Sequence, residues 1–417
     1  MDRLMILGRT RLQGKVRVNG SKNASLPILA ASILSPGQSV IKDVPRLQDI
    51  TTMGDVLSSL GARVFRDGPD ITVDTANIYS VEVEEALMRR MRASNLVLGP
   101  LVGRFREAKI SQPGGCNIGS RPMNLHLKGL RAMGVEINEE FGYISARAGR
   151  LTGAEIQLDF PSVGATENIM MAAVYAEGVT VIRNAAREPE VVDLQNFLNC
   201  LGARITGAGT DIIRIEGVRE LRPAVHQVIP DRIEAGTYMI AAAITGGDLT
   251  IVNVIPEHLR ALMAKLAEAG AEIETGDDYV RVRGPQRPQA VDVKTMPYPG
   301  FPTDLQPQMM ALLTLAEGTG IITETIFENR FKHVSELRRM GAEIKVEGQT
   351  AIIKGKKKLS GAPVEASDLR AGAALVLAGM AAENGTIVEG VEHIDRGYER
   401  IEQKYNALGA RITRIRS

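Results

Sequence analysis

One five-residue phrase occurs six times along the 417-residue chain. It reads LGARV from Leu60, MGVEI from Met133, LGARI from Leu201, AGAEI from Ala269, MGAEI from Met340 and LGARI from Leu408. Its glycines, Gly61, Gly134, Gly202, Gly270, Gly341 and Gly409, stand 68 to 73 residues apart. Near-even spacing over the whole chain marks an internal structural repeat and restricts the fold before any single motif is read. Each phrase has the same local meaning. Apolar residues at helical spacing precede it, such as Met53, Val56, Leu57 and Leu60, or Leu194, Phe197, Leu198 and Leu201. The glycine then takes the left-handed position that ends the helix. The residues after it alternate as a strand, turn near a glycine such as Gly142, Gly276 or Gly348, and return as a second strand.

Reading upstream completes the unit. Strands are expected at residues 15–18, 155–158, 225–228 and 291–293. Each leads through a loop into an apolar helix, expected at 26–34, 169–176, 238–244, 309–316 and 373–382. A second strand follows, at 39–44, 180–183, 250–254 and 320–325, and then the helix that the glycine ends. The unit is βαβαββ. The sixth copy lacks its second hairpin strand, and residues 4–7 followed by Gly8 match that strand in other copies. Three units then make each of two domains, 21–229 and 230–417 with 1–20, and a ligand site is expected where the two meet.

Composition bounds the function. The chain is 44% hydrophobic and 24% charged, enough for two ordinary cores. Its 50 basic and 49 acidic residues leave a net charge of +1, without the basic excess of nucleic-acid or membrane-surface proteins. Trp is absent and aromatics make up 4%, so stacking platforms for single strands are not expected. The two cysteines, Cys116 and Cys200, are far apart. They form neither a disulfide framework nor a zinc pattern, and a reducing cytoplasm suits them. Cys200 lies in the apolar run 197–201 and is expected to be buried. No histidine spacing suits a metal, and no cofactor is expected. The N-terminus is too soon polar for a signal peptide. The longest apolar stretch, 371–382, falls short of the ~18 residues of a membrane span.

Function is sought where the copies differ. The loops that open the first helix of each unit hold Ser21-Lys22-Asn23, Met91 to Ser94, Ser162-Val163-Gly164, Asp231 to Glu234, Thr303-Asp304 and Asp368-Leu369-Arg370. Ser, Thr and Asp there suit helix N-caps. Helix N-termini also attract anions, and Lys22, Arg92 and Arg370 beside them suit phosphate or carboxylate. Among the loops that open the second helix, residues 112–122 are the longest, with three glycines around Cys116 and Arg121 five residues on. A nearby cation favours a thiolate, so this is a candidate reactive loop. Arg187, Arg330 and Arg396 lie in the equivalent loops of other copies.

The segments SKNASLPIL, PGGCNIGSRP, SVGATENIM, AAREPEVVDLQNFL, PDRIEAGTY, FPTDLQPQ, TIFENRF, SDLRAGAALVLAG and HIDRGYERIE closely resemble the UDP-N-acetylglucosamine enolpyruvyl transferase family. The resemblance covers the whole chain. It implies an enolpyruvyl transferase fold, two inside-out α/β barrel domains of three units each. It implies transfer of the enolpyruvyl group of phosphoenolpyruvate to the 3′-hydroxyl of UDP-N-acetylglucosamine with release of phosphate, the first committed step of peptidoglycan synthesis. By the same resemblance Cys116 protonates the methylene carbon of phosphoenolpyruvate and forms a thioether adduct with it, an O-phosphothioketal, and is the target of the epoxide fosfomycin. Lys22, Arg121 and Arg396 hold phosphoenolpyruvate, with Asn23 and Arg370 beside them. Arg92, Arg121, Pro122, Met123, Asn124, Leu125, Ser162, Val163, Gly164, Asp304 and Ile326 hold the UDP-sugar, with Arg330 and Asp368 in the same substrate-binding set. Asp304 is the base for the sugar hydroxyl. The family also implies domain closure on sugar binding, and a cytoplasmic monomer is expected. Asn124 departs from the Asp of many relatives, and the lost charge bears on the nucleotide contact. The competing enzyme is the sister 3-phosphoshikimate 1-carboxyvinyltransferase, which has the same six units but lacks the cysteine loop. The competing class is a non-catalytic repeat scaffold.

Overall fold

All six phrases end a helix in one way in the computed structural model, which describes residues 2–112 and 123–416, with Arg92 described by its main chain alone. In the first, Gly61 N donates to Ser58 O and Ala62 N donates to Leu57 O, each at 3.0 Å. In the last, Gly409 N donates to Asn406 O at 3.1 Å and Ala410 N donates to Tyr405 O at 3.0 Å. The six glycines have φ between 88° and 107°. This paired closure satisfies the last helical carbonyls and needs a residue tolerant of positive φ. The recurring glycine is therefore a backbone requirement, met six times.

The third copy shows the unit in full. Strands Glu155–Gln157, Val179–Arg183, Arg204–Thr206 and Ile212–Glu216 alternate with helices Val163–Ala173 and Pro189–Cys200 in the order βαβαββ. The first two strands pair in parallel, and the hairpin adds antiparallel on the far edge of the second. Four other sheets have the same strand order. In the second copy the first strand shrinks to a single bridge, Glu82 with Lys109, leaving a three-stranded sheet. In the sixth, strand Arg3–Leu7 lies between Gly385–Glu389 and Ile412–Ile415, antiparallel to both.

Two strands pair outside the repeat whose first helix they lead. Gln13–Arg17 precedes helix Lys22–Ala31 yet pairs in parallel with Asp248–Val252, in the fourth sheet. Val225–Gln227 precedes helix Arg232–Thr245 yet pairs in parallel with Gln38–Lys42, in the first. Each leading strand completes the sheet of the other repeat. The described chain accordingly forms two compact units, one of residues 2–19 and 230–416, the other of 20–112 and 123–229. Each has its own hydrophobic core.

The helices lie inside and the sheets outside. In the first unit Arg232–Thr245, Gln306–Leu313 and Leu369–Ala381 pack together, and in the second Leu98–Phe105 packs on Val163–Ala173. Ile233 to Ile244, Gln306 to Leu313 and Arg370 to Met380 are buried on all sides, as expected of helices apolar around their whole circumference. The six sheets stay separate around them, and among the described residues they do not close into one continuous hydrogen-bonded wall. The second helix of each unit is instead amphipathic. In Pro189–Cys200 the inward stripe is Val191, Leu194, Phe197 and Leu198. Cys200 falls off that stripe and is exposed, contrary to the expectation of burial.

Helices Leu98–Phe105 and Val163–Ala173 meet at close range because Gly99 and Gly103 lie one turn apart on the contact. A Cβ at Gly99 would come 2.3 Å from the Asn168 carbonyl oxygen, and one at Gly103 would come 3.0 Å from that of Met171. Gly99→Ala should therefore destabilise the protein by about 1–3 kcal/mol through overpacking, read as a lower urea midpoint. An unchanged midpoint would contradict the close approach.

Candidate active site

In the unit of residues 20–229, the loops that open the buried helices carry the polar residues. Ser21 caps helix Lys22–Ala31 through its side chain, which accepts from Ala24 N at 3.3 Å. The cap places Lys22 in the first helical turn, where the helix dipole opposes a positive charge. Lys22 is also buried, with its Nζ 3.2 Å from the Asp49 carboxylate in the first turn of helix Gln48–Ser59. A lysine buried at the positive end of a helix is costly as a structural choice and well suited to an anionic ligand. Asn23, beside it, is half-buried.

Ser162 caps Val163–Ala173 in the same way, accepting from Ala165 N at 3.4 Å. Gly164 faces the His126 ring, and a Cβ there would lie 3.1 Å from the His126 Cε1. His126 sits on helix Asn124–Ala132, so the loop of Ser162, Val163 and Gly164 and the stretch Met123, Asn124 and Leu125 meet at one place. Asn168 rivets it. Its Nδ2 donates to His126 Nδ1 at 3.0 Å and to Asn95 O at 3.3 Å, and its Oδ1 accepts from Gly99 N at 2.7 Å. Asn95 Nδ2 in turn reaches Met123 Sδ at 3.0 Å. Asn95 belongs to the turn Arg92–Val97, so the backbone carrying Arg92 is tied to the same cluster. Asn124 is exposed at the start of its helix. Glu167, one turn into Val163–Ala173, is held well above the usual carboxylate range by burial and then by Glu190 and Glu188. Cys116, Arg121 and Pro122 lie outside the described residues.

In the unit of residues 2–19 and 230–416, the expected residues gather around one carboxylate. Asp304 lies in the short turn Thr303–Leu305, and its side chain caps no helix. Its Oδ1 accepts from Arg330 at 3.1 Å, and its Oδ2 accepts from Arg370 Nε and Nη2 at 3.2 and 3.0 Å. Both arginines are buried, while Asp304 keeps a quarter of its side chain exposed. Asp368 serves a different purpose. It caps Leu369–Ala381, accepting from Arg370 N and Ala371 N at 2.9 and 3.1 Å, and stands 4.0 Å from Arg330. Burial opposes the Arg370 charge, but Asp304, then Tyr398 and Asp231, outweigh it and raise the guanidinium above its ordinary value. Arg370 is thus a fixed cation.

Glu324 joins this turn to the Ile326 loop. Its carboxylate accepts from Thr303 Oγ1 at 3.0 Å, from Thr295 Oγ1 at 2.8 Å and from Ile326 N at 2.8 Å. Arg396 is half-buried, two residues before the buried Tyr398. Asp49, His126, Asn168, Glu324 and Tyr398 went unnoticed in the sequence.

His333 is buried close to Arg330 and Asp368. Burial lowers its pKa to about 4, opposed by Asp368 and by a main-chain hydrogen bond at Arg330, with the Arg330 charge adding to the shift. The unfolded chain takes up this proton below about 6.5, whereas the folded one resists it until about 4, so stability falls as pH drops through that window. His333→Leu should flatten the decline in melting temperature between pH 6.5 and 4, and an identical decline in the variant would exclude His333 as its source.

The chain matches the family model described as EPSP synthase (3-phosphoshikimate 1-carboxyvinyltransferase) over residues 6–405. It is 58% identical over 415 residues to UDP-N-acetylglucosamine 1-carboxyvinyltransferase 1 of Carboxydothermus hydrogenoformans, covering 100% of this chain and 99% of the relative. It is 57% identical to the UDP-N-acetylglucosamine 1-carboxyvinyltransferase of Geobacter metallireducens, covering 100% of both chains. Among solved structures, the enolpyruvyl transferase NikO from Streptomyces tendae superposes with a TM-score of 0.89 at 27% identity, covering 99% of this chain and 98% of that one. EPSP synthase from Acinetobacter baumannii superposes with a TM-score of 0.77 at 20% identity over 100% of both chains, a likeness of fold.

Proposed function

The chain belongs to the UDP-N-acetylglucosamine 1-carboxyvinyltransferase family of enolpyruvyl transferases, and from that premise we infer that it makes the enolpyruvyl ether of UDP-N-acetylglucosamine. Phosphoenolpyruvate is the donor, the sugar 3′-hydroxyl the acceptor, and phosphate the second product. The reaction is the first committed step of peptidoglycan synthesis. The observation that carries the reading to named residues is the Asp304 cluster, a partly exposed carboxylate held by two buried arginines.

The chemistry assigns the parts. The enol ether of the donor becomes electrophilic at C2 when its methylene C3 takes a proton, and Cys116 supplies that proton. The sugar oxygen bonds to C2 as Asp304 removes the hydroxyl proton. Loss of phosphate from C2 with one proton from C3 then restores the double bond. Lys22, Arg121 and Arg396 hold the donor's carboxylate and phosphate, with Asn23 and Arg370 beside them, and the fixed cations stabilise charge that builds on the leaving phosphate. Arg92, Arg121 to Leu125, Ser162 to Gly164, Ile326, Arg330 and Asp368 surround the UDP-sugar. The family's domain closure on sugar binding is expected here. No step calls for a metal, and the described residues contain no cluster suited to one.

The thiol carries further expectations. Cys116 forms a phosphothioketal with phosphoenolpyruvate and is alkylated by fosfomycin. The enzyme works in the cytoplasm as a monomer, and no helix among the described residues is long and apolar enough to cross a membrane.

The test is phosphate release from phosphoenolpyruvate with each of two acceptors. UDP-N-acetylglucosamine should support turnover and shikimate 3-phosphate should not. Release with shikimate 3-phosphate alone would transfer the chain to the sister activity, and binding of neither acceptor by calorimetry would return it to the scaffold class.

A further inference from the structure

We propose that Tyr398 is the positioning residue of the Asp304–Arg370 pair, its phenol oxygen fixing both the arginine and the main chain that presents the base. The inference rests on the functional reading above, in which these two residues face the substrates.

The hydrogen bonds around this oxygen have only one consistent direction. Arg370 Nη1 lies 3.2 Å from it and Gln308 Nε2 lies 3.1 Å from it. Both groups can only donate, so the phenol oxygen accepts from each. Its own proton goes to the remaining partner, Thr237 Oγ1, at 2.9 Å. Thr237 passes its proton on to the Ile233 carbonyl at 2.8 Å, within helix Arg232–Thr245. A phenolate would have no proton to give to Thr237, and burial raises the Tyr398 pKa, so the phenol stays intact.

Two routes run from this oxygen to Asp304. The first passes through Arg370. With Nη1 occupied by Tyr398, the Nε and Nη2 edge of the guanidinium is left for the Asp304 carboxylate. The arginine carbon also lies 5.5 Å from the Tyr398 ring centre. The second passes through Gln308, whose two Nε2 protons are shared among the phenol oxygen, the Asp304 carbonyl at 3.0 Å and Thr237 Oγ1 at 3.2 Å. Tyr398, Thr237, Gln308 and Arg370 are all buried, so water offers Arg370 Nη1 little replacement for the phenol. Without the hydroxyl the guanidinium loses an acceptor it needs and rotates to find another. The edge offered to Asp304 and to an anionic donor rotates with it.

The experiment is Tyr398→Phe in the full-length enzyme, assayed by phosphate release with phosphoenolpyruvate and UDP-N-acetylglucosamine. The ring and its volume are kept. The kcat/KM for phosphoenolpyruvate should fall about 10- to 100-fold, while calorimetric affinity for UDP-N-acetylglucosamine stays within about twofold. Arg370→Lys gives the decisive comparison. With the Arg370 route already lost, adding Tyr398→Phe to that variant should lower kcat/KM by less than it does in the wild type, the remainder running through Gln308. Wild-type kcat/KM in Tyr398→Phe, or losses that multiply in the double variant, overturn the proposal. Should Tyr398→Phe not fold, Thr237→Val removes the acceptor of the phenol proton, together with the contacts of Thr237 Oγ1 to Gln308 and the Ile233 carbonyl, and keeps the side chain's shape. It should lower kcat/KM in the same direction, and a wild-type value there overturns the proposal equally. An inactive wild-type enzyme would overturn the functional reading itself. An active wild type with an unaffected Tyr398→Phe overturns only this inference.

Discussion

Asp304→Asn should lower kcat by about 10²- to 10⁴-fold while UDP-N-acetylglucosamine still binds. The substitution keeps the shape of the side chain and removes its capacity to take a proton. It also turns an amide N–H toward a guanidinium that formerly donated to an oxygen. Arg330 and Arg370, at 3% and 2% exposed, then face each other with less counter-charge. Breaking a buried ion pair from one side costs about 3–5 kcal/mol, and the low end is expected because water reaches the Asp304 side chain. The variant should therefore melt at a lower temperature and remain folded at assay temperature. Turnover near the wild-type rate would remove Asp304 from the chemistry.

Cys116→Ala should abolish turnover, and Cys116→Asp should retain part of it. Alanine leaves the methylene carbon of phosphoenolpyruvate without an acid, whereas a carboxylic acid can donate in place of a thiol. The pH dependence separates the two acids. A donor must be protonated to act, and an ordinary aspartic acid loses its proton near pH 4, an ordinary thiol near 8.5. Cys116→Asp activity should accordingly be greatest at low pH and decline as pH rises, through a range where the wild-type thiol stays protonated. Full activity in Cys116→Ala would refute the proton-donor role, and a Cys116→Asp profile identical to the wild type would point to another acid.

The features readable in the sequence were those with one local cause. The six glycines each close a helix by the same pair of hydrogen bonds, so their recurrence was enough to identify the unit. Helix starts were harder. The apolar run at 26–34 marks the part of the helix packed on all sides, whereas the helix begins at Lys22 because Ser21 caps it. The expected bounds grouped 1–20 with 230–417 and 225–228 with 21–229, but which strands Gln13–Arg17 and Val225–Gln227 join was not visible, because a strand's own residues do not name the strand it pairs with. The same limit applies at the site. Asp304 and Asp368 occupy equivalent loops and read alike, yet Asp368 caps its helix while Asp304 is held by two arginines. Lys22 was visible as a candidate, but its partner Asp49 lies on another helix and carries no local mark. Tyr398 stood inside the quoted segment HIDRGYERIE, but nothing local marks a tyrosine between Gly397 and Glu399 as a partner of Arg370. The substrates themselves came from family membership and not from the repeat.

The most direct measurement of the central claim is the identity of the product when both acceptors compete. Phosphoenolpyruvate is supplied with UDP-N-acetylglucosamine and shikimate 3-phosphate together, and each acceptor is followed by mass spectrometry and carbon NMR. UDP-N-acetylglucosamine should gain one enolpyruvyl group as an ether at the 3′-oxygen, with one phosphate released per ether formed. An enolpyruvyl group on shikimate 3-phosphate, or phosphate released with neither acceptor changed, would contradict the account.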